Sequence, residues 1–430
     1  LSNACMPLLG TSAANIDLSE NRRRFEEVLN SMGIPQPPGS GVYTVDDALK
    51  VAKLIGYPVM VRPSYVLGGR AMEIVHNASE LARYMSVAME IDTSHPVLID
   101  KYLQGKECEV DAVCDGEDVL IPGIMEHIER AGVHSGDAMS VYPGVNLSES
   151  EVNTMVDYSI KIGRRLNVRG LMNVQFIVMP PSDEGSTDSK VYVLEVNSRA
   201  SRTVPFLSKV TGVPMVNVAT KVMLGHTLKE QGYPCGLWKK QKLVAIKAPV
   251  FSMSKLTGVD THLGPEMKST GEVMGIDYTF EAALAKALIS SGMMLPPKGG
   301  ILLSIADRDK PEALSIIRQM SQIGYRLYAT EGTAAMIEAA GLSVNLTTKK
   351  LDEGHPNVLD VIIDGSVNAV INTITGGRIP LRDGFQIRRT ATEKRIPCFT
   401  SLDTARAAVQ ALLNGICNYS INPINVYRNK

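Results

Sequence analysis

The order of strands and helices predicts two domains: a mixed α+β domain, then an α/β domain on a doubly wound parallel sheet. Three observations carry that expectation. At 430 residues the chain exceeds what one ordinary core holds. Residues 171–179 and 191–197 are rich in β-branched and aromatic side chains and flank a polar run at 180–189, so they read as an antiparallel pair joined by a loop. From Ile301 onward short strands alternate with helices, the pattern of a parallel sheet covered on both faces. Met294-Leu-Pro-Pro-Lys-Gly-Gly300 is the linker, which puts the domains at residues 1–293 and 294–430.

Composition narrows the function. Hydrophobic residues make up 44% and charged residues 21%, as in a soluble globular protein. A net charge of -1 argues against nucleic-acid binding, which needs a clustered basic excess. No apolar run approaches the length that crosses a bilayer, and no secretory signal opens the chain. Cys5, Cys108, Cys114, Cys235, Cys398 and Cys417 are scattered and form no C-x-x-C pair, so reduced thiols in a cytoplasmic compartment are expected. Ser2-Asn3-Ala4 resembles a cloning scar and 8–12 reads as the last strand of something larger, so a piece of a longer polypeptide is expected.

The first domain opens with an expected helix at 17–32, followed by a loop at 36–41. Residues 44–56 form a helix with a Thr cap and a closing Gly. A strand at 57–63 ends at Arg62 and enters Ser64-Tyr-Val-Leu-Gly-Gly-Arg70. Paired glycines let the backbone approach a polyphosphate, and Arg62 and Arg70 place positive charge there; an ordinary hairpin turn is the alternative. A helix at 79–89 precedes strands at 97–103 and 107–114. Residues 125–137 carry two His, three acids and two Gly. For His127 the better reading is a structural residue, hydrogen-bonded in a loop. For Gly132, Val133, His134 and Ser135 it is a loop against a ligand. Further helices are expected at 148–166, 207–224 and 280–291, a strand at 242–251 and a glycine-punctuated loop at 264–275.

The chemistry concentrates on residues 191–202. Alternate side chains of a strand share a face, so Glu195 and Asn197 project to one side, with Val191 and Val193 behind them. Antiparallel pairing brings Gln175 beside Glu195. Gln175, Glu195 and Asn197 then converge as oxygen ligands suited to a hard divalent cation. Arg199 and Arg202 follow where the strand ends, placed to hold anionic oxygens. Metal plus arginine describes a phosphoryl-transfer site; a solvated strand end is the plainer alternative.

In the second domain strands are expected at 301–306, 325–329 and 369–372, with helices at 310–323, 333–340 and 401–413. Thr330, Gly332 and Thr333 stand where a strand ends and a helix begins, a ready anion site. Simple capping by the two hydroxyls is the alternative.

Arg62-Pro-Ser-Tyr-Val-Leu-Gly-Gly-Arg-Ala-Met-Glu73, the whole of 125–137, Gly170-Leu-Met-Asn-Val-Gln-Phe176, Glu195-Val-Asn197 and Thr203-Val-Pro-Phe206 together resemble the C-terminal half of the carbamoyl phosphate synthetase large-subunit family. The resemblance covers nearly the whole chain. It implies an ATP-grasp domain, then a Rossmann-like, methylglyoxal-synthase-like allosteric domain, and it favours the carbamate-phosphorylating half. By that resemblance Arg62 contacts ATP phosphates, Lys101, Leu103 and Glu107 surround adenosine, and 132–135 touch the nucleotide. Gln175 and Glu195 would hold one Mg or Mn ion and Glu195 and Asn197 a second, with K as a further candidate cation. Arg199 and Arg202 would steady carbamate and the transferred phosphoryl, and Glu129 and Asp137 fall where the family couples the allosteric domain to the site. Lys310, Thr330, Thr333, Lys350 and Asn372 match a site for a nucleotide or other anionic effector. A glutaminase small subunit and the N-terminal half would be partners. Ser198 replaces the usual Pro after the metal-binding Asn, and Ile374 replaces an effector-binding Thr, with Thr375 as its substitute.

Two cations bridged by Glu195, with arginines beside them, would offset the repulsion between carbamate and the γ-phosphate. The Gly68-Gly69 loop is the expected lid over an intermediate unstable in water. A different ATP-grasp ligase would lack the trailing domain. Methylglyoxal synthesis needs a G-P-x-G-G-D loop that Leu351-Asp-Glu-Gly-His-Pro356 does not supply. A regulatory module without catalysis would have no use for three metal oxygens.

Overall fold

The computed structural model describes residues 6, 8–63, 69, 71–91, 95–181, 189–252, 259–349, 354–374, 383–415 and 418–428. The chain divides into two compact units, one of residues 1–134, 140–244 and 422–430, the other of residues 135–139 and 245–421. The expected linker at 294–300 therefore lies inside the second unit, and 245–293 group with the later residues.

In the first unit, a four-stranded antiparallel sheet runs Gly39–Val42, Val97–Lys101, Val59–Pro63, Glu73–Val75. The Val45–Ile55 helix beside it starts as read: Thr44 Oγ1 accepts from the Asp47 amide, and Gly56 ends it at φ 78°. Ala48, Ala52, Leu81, Met85, Val59, Val61 and Ile99 make the core between helices and sheet.

A second, nine-stranded sheet includes an antiparallel run of five strands in the order Lys190–Asn197, Arg169–Met179, Lys106–Asp115, Ile124–His127, Ser140–Tyr142. One face is apolar: Cys108, Val110, Ala112, Met172, Val174, Phe176, Val191, Val193 and Val196 pack with Phe25, Leu29, Met155 and Ile162. Met155 and Ile162 come from the Glu149–Arg165 helix, which Ser148 and Glu151 start with a reciprocal capping box.

Several expected elements differ. The 17–32 helix is two, Ala13–Glu20 and Arg22–Ser31, because Asn21 takes an extended conformation and caps the second through the Arg24 amide. The 207–224 helix is also two, Thr203–Thr211 and Met215–Met223, separated at Gly212 (φ 78°) and Pro214. The 264–275 loop ends in a strand, Gly271–Asp277. Residues 8–12 form no strand; Thr11 instead pairs its hydroxyl with the backbone of Arg169.

The second unit holds a five-stranded parallel sheet in the order Asn345–Leu346, Arg326–Ala329, Gly300–Ser304, Ala369–Asn372, Cys398–Phe399. The chain starts in the middle, winds outward to one edge and then to the other, as the doubly wound reading requires. Val358, Val361, Ile362, Ile387 and Ala391 cover one face over Leu302 and Val370. The Lys310–Ile323 and Leu402–Gln410 helices pack against each other. Among the described residues Cys108, Cys114, Cys235 and Cys398 are free thiols, and no helix is long and apolar enough to cross a membrane.

Candidate functional site

Opposite its apolar face, the second sheet of the first unit presents acids and amides in rows. Register places Glu109 opposite Gln175 and Gln175 opposite Glu195; one step along, Asp111 faces Asn173 and Asn173 faces Asn197. Two lines of polar side chains thus cross three strands. The pairing of Gln175 with Glu195 is as the sequence requires. The alternation is not regular, however. A bulge between Val193 and Glu195 puts Val191 and Val193 into the core, while Tyr192 and Leu194 join the polar face.

At the strand end the groups connect. Asn197 Nδ2 donates to Glu195 Oε1 at 3.0 Å, and Arg199 donates to Asn197 Oδ1 at 3.2 Å and to the Ala200 carbonyl at 3.2 Å. Arg202 occupies the N-cap position of the Thr203–Thr211 helix. Among the described residues no three His, Cys, Asp or Glu converge as a metal-binding group. Gln175, Glu195 and Asn197 nevertheless fit magnesium chemistry: all are hard oxygen donors, one is a carboxylate, and such an ion completes its shell with water and substrate phosphate.

Glu107 lies deeper in the same face. Burial above all pushes its carboxyl up to about 7; His127 lowers it, the charges of Glu109 and Glu195 raise it, and the Gly132 amide donates to it. The buried His127 ring lies 3.7 Å from Glu107 and 3.8 Å from Glu109, at the end of the Ile124–His127 strand and not in the loop expected for it. Gly132 has φ 105°, and a Cβ there would stand 2.8 Å from Ile74 and 3.2 Å from Tyr102. The Tyr102 hydroxyl donates to the Ala131 carbonyl at 2.5 Å. Above these groups Leu103, Ala131 and Ile177 form a small apolar cluster with Met179, Tyr192 and Leu194. A flat ring fits such a surface, and polar groups stand along one side of it.

The remaining candidates lie elsewhere. Arg62 pairs with Asp100 at 3.3 Å on the four-stranded sheet, and Lys101 Nζ donates to the Gly56 and Tyr57 carbonyls, both at 3.0 Å. Val133 and His134 continue the Gly132 turn, half-buried. Ser135 belongs to the second unit, where its carbonyl accepts from Lys247 at 2.9 Å. Asp137, also there, accepts from the Lys268 and Ser269 amides. Gly68 of the expected Gly68-Gly69 lid, and Arg70 beside it, lie outside the described residues.

In the second unit the anion-site candidates gather at the carboxyl ends of the strands. Thr330 is the N-cap of the Glu331–Ala339 helix but makes no side-chain capping bond, so the capping alternative is not realised there. Lys310 Nζ lies 3.0 Å from where a Gly332 Cβ would be, and pairs with Asp307 at 2.6 Å. Thr333 Oγ1 accepts from the Ile305 amide at 3.0 Å. Asn372 donates to the Ser304 carbonyl at 3.2 Å and accepts from Arg388. Lys350 and Thr375 lie outside the described residues.

Sequence reasoning missed Glu109, Asp111 and Asn173 although they carry its own signal: with Glu107 the acids alternate along one strand. The apolar cluster gave no signal, because its members come from separate stretches.

Comparison with known proteins bears on the family and the fold. Residues 21–231 match the family described as carbamoyl-phosphate synthase L chain, ATP binding domain, and residues 312–400 match the MGS-like domain. Over all 430 residues the chain is 56% identical to the carbamoyl phosphate synthase large chain of Thermomicrobium roseum. The chain is a homologue of that large chain. It spans 39% of the length of this relative. The ATP-grasp fold is shared more widely. Biotin carboxylase from Campylobacter jejuni, solved as a β-γ-ATP complex, aligns at TM-score 0.54 and 20% identity over 68% of this chain and 70% of that one. The biotin carboxylase domain of Hydrogenobacter thermophilus 2-oxoglutarate carboxylase, solved with MgADP, ADP and bicarbonate, aligns at TM-score 0.52 and 21% identity over 67% and 69%.

Proposed function

We propose that this chain transfers the γ-phosphoryl of ATP to carbamate, giving carbamoyl phosphate in the second ATP-using step of carbamoyl phosphate synthesis for pyrimidines and arginine. The observation that carries the reading is the Gln175–Glu195–Asn197 cluster, joined by Arg199 and standing beside an apolar cluster fit for a base.

In this proposal Leu103, Ile177, Tyr192 and Leu194 hold the adenine, Lys101 and Glu107 lie around the adenosine, and Arg62 and residues 132–134 meet the nucleotide. Gln175, Glu195 and Asn197 hold two Mg or Mn ions, with K as a further cation. When bound, such ions neutralise the phosphate oxygens. Arg199 and Arg202 orient carbamate against the γ-phosphate and offset charge that builds during transfer. No covalent nucleophile is required. Catalysis belongs to residues 1–293 and effector binding to 294–430, although 245–293 group with the later residues in the fold; a phosphate-bearing effector is held by Lys310, Thr330, Thr333, Lys350 and Asn372. The enzyme works in the cytoplasm, with a glutaminase subunit and the N-terminal half of the synthetase as partners that supply the carbamate.

The test runs the reaction backward. The chain is expected to form ATP from carbamoyl phosphate and MgADP, and to make no carbamoyl phosphate from bicarbonate and an ammonia donor. Glu195→Ala is expected to abolish ATP formation and metal-dependent ADP binding. Folded protein that forms no ATP, or a Glu195→Ala variant that binds MgADP as tightly as the parent, contradicts the proposal.

A further inference from the structure

Two carboxylates in the middle of the polar face have no role in the chemistry above. Glu109 and Asp111 are each 1% exposed. They stand two residues apart on the Lys106–Asp115 strand, on one face. The Thr203 hydroxyl donates to Glu109 Oε1 at 2.6 Å, and the Ser201 hydroxyl donates to Asp111 Oδ2 at 2.7 Å. Asn173 Nδ2 donates to the other Asp111 oxygen at 3.2 Å. The circuit closes through the backbone, since the Thr203 amide donates to Ser201 Oγ at 2.9 Å. Two rungs therefore tie the strand to the turn, and the residue between the rungs is Arg202.

Each rung extends a row already described. Glu109 begins the line through Gln175 to Glu195, and Asp111 begins the line through Asn173 to Asn197. One end of each row is thus a candidate metal ligand, and the other end holds the segment that follows Arg199. Burying a carboxylate is costly unless it is fully hydrogen-bonded. A turn held only for stability needs no such charge, whereas a short charge-assisted bond from hydroxyl to carboxylate fixes position tightly.

We propose that Glu109 and Asp111 are positioning residues for the transfer step: they fix the Ser201–Thr203 turn, and with it Arg202, against Glu195 and Asn197. The inference rests on the reading of this site as a phosphoryl-transfer centre. It goes beyond that reading by assigning a function to acids that the reading gives no contact with nucleotide or carbamate.

Thr203→Val removes one rung while keeping shape. In the ATP-forming assay it is expected to lower kcat about 10- to 100-fold, the effect of a small misplacement at a reacting centre. KM for MgADP is expected to stay within about twofold, because the ground-state nucleotide contacts are elsewhere. Thr203→Ser, which restores the hydroxyl, is expected to recover kcat to within about threefold. Ser201→Ala, on the half-buried rung, repeats the test where Thr203→Val fails to fold. An active parent chain with kcat unchanged in both Thr203→Val and Ser201→Ala overturns this inference alone. So does a loss that appears in KM and not in kcat. A parent chain that forms no ATP overturns the phosphoryl-transfer reading and this inference with it.

Discussion

Glu107 shows what a single buried acid does to the protein. Its ordinary value is 4.5 and burial, the largest cause, pushes it up to about 7. Between those values the folded protein keeps a proton that the unfolded chain has lost. Stability therefore falls as pH rises from about 4.5 to about 7 and is level above that. The loss amounts to roughly 3 kcal/mol. Glu107→Gln cannot titrate and is expected to abolish it. Urea midpoints measured near pH 5 and near pH 8 decide: the parent falls between them and the variant does not, and parallel falls in both would contradict the assignment. Gly132 makes a second residue-scale case. Its φ of 105° and the nearness of Ile74 leave no room for a methyl group. Gly132→Ala is expected to destabilise by about 1 kcal/mol or more and to weaken ADP binding, read by calorimetry. Unchanged stability and affinity would remove the turn from the site. The sequence marks Gly132 as a candidate ligand-loop residue because glycine, histidine and acids crowd there; nothing in it shows that Ile74 and Tyr102 close over the position.

At the scale of elements, the helix Glu331–Ala339 begins beneath Lys310, and the Thr330 side chain makes no capping bond to its first amides. Helix dipole and ammonium there add in favour of an anion. Lys310→Ala is expected to weaken binding of a nucleoside monophosphate about tenfold or more, the worth of one charge-assisted contact. Isothermal titration with uridine and inosine monophosphates measures it, and equal affinity for parent and variant would take Lys310 out of the site. This junction was legible, since a strand followed by Thr-Glu-Gly-Thr carries its own punctuation. The bulge before Glu195 was not. Simple alternation puts Val193 and Glu195 on one face; only pairing with Phe176 and Gln175 separates them. The two split helices fall between these cases. Gly212 and Pro214 announced one break, but Asn21 stops a helix only because its side chain turns to cap the next.

At the scale of the molecule, two units with separate cores should unfold as separate steps rather than as one. Asp260 and Arg388 make this testable. Within the second unit the Arg388 guanidinium, nearly buried, donates to both Asp260 oxygens, at 2.6 and 2.5 Å, and also to Asn372. That pairing holds the Asp260 carboxyl below its ordinary range even though burial acts the other way. Asp260→Ala leaves the guanidinium inside without its counter-ion. Asp260 itself keeps a third of its side chain exposed, so the expected loss is about 2 kcal/mol, the scale of a charged hydrogen bond. The single tryptophan, Trp238, belongs to the first unit and donates its backbone amide to the Ile121 carbonyl there. Its fluorescence therefore follows the first unit, while far-ultraviolet circular dichroism follows both. In urea, Asp260→Ala is expected to move the dichroism transition to lower concentration and leave the tryptophan transition and MgADP affinity where they were. A tryptophan transition that shifts equally would mean the two units unfold together. The sequence announced two domains through the change from hairpin to strand–helix alternation. It did not announce that residues 245–293 would join the later unit, because that grouping comes from long-range pairs such as Asp260 with Arg388, Leu263 with Thr400 and Asp277 with Ser420.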